Sequence, residues 1–178
     1  MSEEKKQIRK RMRELQEQFL SDPVRVREET GRIWSALENK AAFKNAGAVL
    51  LYMSIPGEVE TADFIDKWHL KKRIVIPLVS GESLILKEYS PAHLKEGYKG
   101  ILEPTDEAVT VPAEELDLAI VPGVAFTAKG ERLGRGGGFY DRLIPQLRCP
   151  VIGVCYPFRI VDGLPTEPWD ALLTGVIF

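Results

Sequence analysis

Only two cysteines and two histidines occur among the 178 residues. That is too little cysteine for a disulfide scaffold, and Cys149 and Cys155 lack the further ligands at short spacing that zinc requires. Both are expected to be buried thiols in a reducing compartment. His69 and His93 carry no motif, and no Ser/His/Asp or Cys/His signature points to a protein nucleophile. No run approaches the ~20 apolar residues of a membrane span. The N-terminus mixes glutamates with lysines and arginines and has no apolar signal core. The formal net charge of -2 supplies no global field for nucleic acid or an anionic membrane. The expectation is a cytoplasmic protein with neither as partner, in which any anion is held by a local cluster of donors and cations.

What is present suits one domain over residues 1–178, with 44% hydrophobic and 28% charged residues. Ile8, Met12, Leu15 and Phe19 form an apolar stripe at helical spacing. Asp22-Pro23 reads as the cap and first turn of a second helix, running toward Ile33, Trp34 and Leu37. The apolar runs from Ala48, from Arg73 to Val79, from Asp117 to Gly123 and from Val151 to Tyr156 read as strands, mostly buried on both faces. Leu84 to Tyr89 follows its predecessor so closely that an antiparallel pairing is expected. Thr61 is placed to cap a helix containing Phe64, Ile65 and Trp68, and GVIF at the C-terminus reads as an edge strand. The stretch from Ser90 to Pro112, punctuated by Pro and Gly, reads as a loop that covers a substrate. Strands alternating with helices predict an α/β fold, a three-layer α/β/α sandwich with a mostly parallel, Rossmann-like sheet. Ligands of such sheets gather at the carboxyl ends of strands.

The strongest local signal is Arg132-Leu133-Gly134-Arg135-Gly136-Gly137-Gly138-Phe139-Tyr140-Asp141. Its glycines free the backbone to bring N–H groups close to an anion, and Arg132 and Arg135 add charge. It matches neither a Walker loop nor a dinucleotide fingerprint. Glycine content alone leaves a flexible structural loop and a phosphate site both open, and Asp141 alone reads first as a helix-start carboxylate favoured by the dipole. Lys5 and Arg9 share a face of the first helix, flanking its apolar stripe. In isolation they read as solvated charge, and Glu60 reads as another helix-start carboxylate.

The wider string Pro122-Gly123, Ala125-Phe126, Gly130, Arg132-Leu133-Gly134, Gly136, Gly138 and Tyr140-Asp141 resembles the signature of the 5-formyltetrahydrofolate cyclo-ligase family. Thr127 stands where that pattern has aspartate. The resemblance extends from Lys5 to Asp170. It implies ATP contacts for Lys5, Arg9, Arg132, Leu133, Gly134, Arg135, Gly136, Gly137, Gly138, Phe139 and Tyr140, with Lys5 and Arg135 closest to the chemistry. It implies folate contacts for Ile55 and Glu60, through a Glu-x-Glu-Thr element. Magnesium is implied at Asp141 and at Asp170, in a stretch where Trp169 replaces the family's histidine. The implied reaction is ATP- and Mg²⁺-dependent conversion of 5-formyltetrahydrofolate to 5,10-methenyltetrahydrofolate by a monomer acting on small molecules. Two other readings stand beside it. One is a sugar-phosphate isomerase or CoA transferase on the same scaffold. The other is a non-catalytic regulator that binds nucleotide or folate.

Overall fold

The computed structural model describes residues 2–97, 100–167 and 170–178. Helix α1 (Glu3–Leu20) starts where the Ser2 hydroxyl accepts the Lys5 backbone N–H, with Glu3 and Glu4 favourably placed in its first turn. Helix α2 (Pro23–Glu38) starts where Asp22 accepts the Arg25 N–H at 3.1 Å. A short third helix that the periodicity did not reveal, α3 (Ala41–Asn45), then delivers the chain to β1 (Ala48–Leu50).

The main sheet continues through β2 (Arg73–Ser80), β3 (Ser83–Glu88), β6 (Leu118–Val121), β9 (Val151–Val154) and β10 (Gly175–Ile177). Its order is β10-β9-β6-β1-β2-β3, parallel except for β3, which turns back against β2. Two small hairpins lie outside it, β4 (Leu94–Glu96) with β5 (Leu102–Pro104), and β7 (Ala125–Phe126) with β8 (Arg132–Leu133).

Alternation along the strands sorts the core into two faces. Val49, Ile74, Leu118 and Ile152 face one way, against Ile33, Trp34 and Leu37 of α2, Phe43 of α3, and Phe64 and Ile65 of α4 (Ala62–Trp68). Leu50, Val75, Ala119 and Val151 face the other way, against Leu143 of α5 (Phe139–Leu143) and against Ile144, Phe126 and Leu173. Burying each of these larger side chains contributes about 2 kcal/mol. The second layer is thinner than the first, being one short helix supported by loops.

Two sequence expectations change. Thr61 does sit before α4, yet its hydroxyl accepts the Ser54 N–H instead of capping the helix, while Ser54 Oγ accepts the Thr61 N–H at 3.1 Å. This reciprocal pair closes the loop after β1. The segment from Ser90 to Pro112 is not a structureless cover. It contains the β4–β5 hairpin, and its end pairs with β3 through Glu88 N–H to Val109 O and Val111 N–H to Leu86 O.

The strand order creates the ligand edge. From β1 the chain crosses through α4 on one face to β2; from β6 it crosses through α5 on the other face to β9. The loops leaving the carboxyl ends of the neighbouring strands β1 and β6 therefore diverge and open a crevice.

Candidate active site

An apolar cavity of about 260 Å³ occupies that crevice. The loop after β1 supplies Tyr52, Met53, Ile55 and Glu58, the turn after β6 supplies Pro122 and Gly123, and the β4–β5 hairpin supplies Ile101, Leu102 and Glu103. A second cavity, of about 420 Å³, is lined by Lys5, Arg9, Leu133, Gly136, Arg142, Glu167 and Asp170. Arg132, Gly134, Gly138 and Asp141 line both cavities, so the two adjoin along the glycine-rich loop.

The β7–β8 hairpin sets the position of that loop. Its ladder ends at Leu133, and Gly134 starts the turn toward α5. Gly136 (φ 109°) and Gly138 (φ 68°) adopt conformations that a side chain would strain. Arg142 anchors the far end, donating to Gly137 O at 2.8 Å and to Glu82 O from Nε at 2.8 Å. Because α5 has only five residues, the anion-binding capacity here resides in the loop backbone and the flanking cations.

Three of the predicted cations hold a carboxylate each or two. Lys5 Nζ, almost fully buried, donates to Asp170 Oδ2 at 2.8 Å and Glu167 Oε2 at 3.0 Å. Burial depresses the pKa of its ammonium, but Asp170 and Glu167 outweigh that and leave it raised. Arg132 donates from Nη2 to Asp141 Oδ1 at 2.6 Å and from Nη1 to Pro122 O at 3.2 Å, with its guanidinium above the Tyr140 ring. Its Nε–H is buried without an acceptor among the described residues, which is the kind of orphan a ligand oxygen satisfies. Arg135 Nη2 donates to Glu58 Oε1 at 2.9 Å. Arg9 Nε donates to Gly134 O at 2.9 Å, tying α1 to the loop.

Most of the predicted site residues thus gather on one continuous wall. Lys5, Arg9, Arg132, Leu133, Gly134, Gly136, Gly138, Asp141 and Asp170 line the cationic cavity. Ile55, Arg135, Gly137, Phe139 and Tyr140 line the apolar one. Burial and the nearby Glu58 push the Tyr140 phenol far up, so it stays neutral.

Glu60 is the exception. It is exposed and does not line the cavity; its backbone carbonyl accepts the Trp34 indole N–H at 2.6 Å. The buried carboxylate of this loop is Glu58, turned inward because its Oε2 accepts the Ile55 N–H at 3.2 Å. Sequence reasoning also passed over Glu167 and Arg142, whose only signal was a place inside motifs already noted. Trp169 lies outside the described residues.

Among the described residues no three His, Cys, Asp or Glu side chains form a metal cluster. Asp141, Asp170 and Glu167 nevertheless line one cavity, and magnesium commonly takes only one or two carboxylates when phosphates and water complete its shell. The oxygen donors therefore fit magnesium held jointly with a polyphosphate.

A cationic, glycine-lined cavity joined to an apolar one at a switch point is the setting in which the comparisons fall. The family model described as "5-formyltetrahydrofolate cyclo-ligase family" matches residues 1–178. The chain belongs to that family. The 5-formyltetrahydrofolate cyclo-ligase of Haemophilus influenzae is 36% identical over 144 residues, covering 75% of this chain and 76% of the relative. That of Escherichia coli K12 is 33% identical over 141 residues, covering 74% and 78%. Among solved structures, the 5,10-methenyltetrahydrofolate synthetase of Aquifex aeolicus superposes with a TM-score of 0.87 at 33% identity, over 97% of this chain and 88% of its own. The corresponding synthetase of Mycoplasma pneumoniae gives 0.77 at 26% identity, over 97% of both chains. The chain is accordingly a cyclo-ligase-family enzyme with the family's mostly parallel α/β fold. Among the described residues no helix is long and apolar enough to cross a membrane.

Proposed function

We propose that this enzyme converts 5-formyltetrahydrofolate and ATP to 5,10-methenyltetrahydrofolate, ADP and phosphate. Family membership supports the folate conversion. The use of ATP rests on one observation above all: Arg132, Gly134, Gly138 and Asp141 line the cationic and the apolar cavity together. A group held in one can therefore reach a group held in the other.

The chemistry asks for that proximity. A formyl amide is a weak electrophile, and its oxygen does not leave unaided. Transfer of the terminal phosphoryl group to that oxygen, with ADP departing, gives an N5 iminium phosphate. The folate N10 lone pair then attacks the formyl carbon, the carbon–oxygen bond breaks with phosphate taking its electrons, and N10 loses its proton. No protein nucleophile takes part. The protein's task is to position the groups and neutralise charge, as in other phosphoryl transfers.

In this reading Lys5, Arg9, Arg132 and Arg135 hold the phosphates together with the backbone of Gly134 to Gly138. Asp141 and Asp170 would hold magnesium, which would further neutralise the phosphate charge. Ile55, Phe139 and Tyr140 pack on the ring systems, and Glu58 is the buried carboxylate available to their N–H groups. The three cation–carboxylate pairs would then exchange partners on binding, cations turning to phosphate and carboxylates to metal or pterin. The test is to mix purified enzyme with MgATP and 5-formyltetrahydrofolate. Growth of the methenyl near-ultraviolet absorbance, with one ADP per product, supports the reading; turnover without ATP, or binding without turnover, refutes it.

A further inference from the structure

Arg142 lines the cationic cavity beside Gly136 and Gly138, yet its bonding differs from that of the other cations around the loop. Lys5, Arg132 and Arg135 each donate to a carboxylate. Among the described residues Arg142 donates only to backbone carbonyls. Its Nε reaches Glu82 O at 2.8 Å, and its Nη2 reaches the same oxygen and Gly137 O at 2.8 Å. A phosphate that meets Arg142 therefore displaces no ion pair.

Those bonds also aim the guanidinium. Glu82 belongs to the tight turn between β2 and β3, and Gly137 to the glycine-rich loop, so the fork is held from two sides. Its third nitrogen, Nη1, has no acceptor among the described residues and lies against Gly138. A Cβ on Gly138 would stand 2.6 Å from Nη1, so glycine at this position both accepts φ 68° and leaves room for the nitrogen. Gly138 in turn lines both cavities. On its other side the guanidinium carbon lies 5.4 Å from the centre of the Phe139 ring, which faces the apolar cavity.

Resting on the proposed ATP-dependent reaction, we infer that Arg142 contacts the phosphoryl group as it passes between the two cavities. In that step the bond from the terminal phosphorus to the β–γ bridging oxygen breaks, and its electrons leave with ADP. A bond from phosphorus to the formyl oxygen forms in its place. The moving group has to pass the residues that line both cavities, and Nη1 of Arg142 stands at one of them. A fixed guanidinium fork acts most strongly where charge is spread over the oxygens of the group in transit. Arg142 therefore acts on the rate of transfer more than on nucleotide affinity.

The test compares wild-type enzyme with Arg142→Gln and Arg142→Lys, reading kcat for methenyl formation, KM for ATP and the Kd of ADP by calorimetry. Arg142 is exposed, so neither exchange disturbs the core, and the melting temperature checks this. Expected is a kcat about 10²-fold lower in Arg142→Gln with the Kd of ADP within about threefold, because ADP lacks the transferred group. Arg142→Lys restores the charge without the fork and should recover about tenfold of the loss. A kcat within about threefold of wild type in Arg142→Gln overturns the inference and leaves Arg142 as a strut between turn and loop. So does a loss that appears equally in the Kd of ADP, because a strut shapes the loop for every nucleotide. If the wild-type enzyme forms methenyl product without consuming ATP, the ATP reading itself falls, and this inference with it.

Discussion

The ammonium of Lys5 lies 2.8 Å from Asp170 Oδ2, joining the first helix to the last loop across 165 residues. A cation proposed for phosphate and a carboxylate proposed for magnesium are thus paired with each other. The pair keeps both charges ordered in a nearly buried place, and MgATP would offer each a replacement. The same logic holds for Arg132 with Asp141 and for Arg135 with Glu58.

Replacing Lys5 by Met should therefore lower kcat/KM for ATP by about 10²-fold, by analogy with a lost oxyanion donor. Glu167 is partly exposed and Asp170 keeps the Glu167 N–H, so the melting temperature should move by only a few degrees. The raised pKa of Lys5 fixes the sign of the pH effect. Its ion pairing is fully present below the ordinary lysine range and is lost as pH rises through the raised value. Steady-state assays over ATP concentration should show a Lys5 contribution that is flat from pH 6 to about 9. A variant with unchanged ATP dependence would remove Lys5 from the phosphate site.

Glu58 and Glu60 offer a direct contest between motif and geometry. Glu58→Gln frees Arg135 and removes the buried carboxylate from the apolar cavity, so kcat/KM for the folate should fall by about 10² or more. Glu60→Gln changes an exposed side chain and should cost less than about fivefold. Initial-rate measurements on both variants decide it. The reverse order would return the folate contact to Glu60 and require the loop to turn over on binding.

Gly136→Val tests whether the loop conformation carries the nucleotide site. At φ 109° a branched side chain costs about 1–3 kcal/mol, and the loop is exposed enough to relax by changing shape. The expected result is a protein that melts near the wild-type temperature but binds ATP at least tenfold more weakly by calorimetry. Wild-type affinity would mean that the left-handed turn is incidental to the site.

The strands and their alternation were legible because they depend on local rules. Apolar runs such as Ala48 to Leu51 cannot stay in water, so they fold into buried strands. Two kinds of feature were not legible. One is pairing across the chain: nothing near Lys5 in sequence announces Glu167, and nothing near Arg159 announces Gln16 or Gly57. The other is local direction within a loop. Glu58 and Glu60 share a motif, but a single hydrogen bond from Ile55 N–H turns one of them inward. The polar stretch from Ser90 to Pro112 hid a hairpin because its strands are three residues each, too short for alternation to show.

Asp117, at the start of β6, accepts the Gly47 and Ala48 N–H groups at 2.8 Å each with one oxygen, while its own N–H donates to Ala48 O. This clip sets β1 against β6, the two strands whose loops build the crevice. The Ala48 and Gly47 amides hold the Asp117 carboxyl below its ordinary pKa. A depressed carboxyl stabilises the fold above the ordinary aspartate range and loses that contribution as pH falls through its folded value. Asp117→Asn should therefore cost about 1 kcal/mol at pH 7, discounted for the exposure of the side chain. The difference from wild type should shrink as the pH drops below about 4. Urea unfolding at several pH values reads both effects. A deficit that stays constant into acid would show that packing at the strand start, and not the charge on Asp117, holds β1 and β6 together.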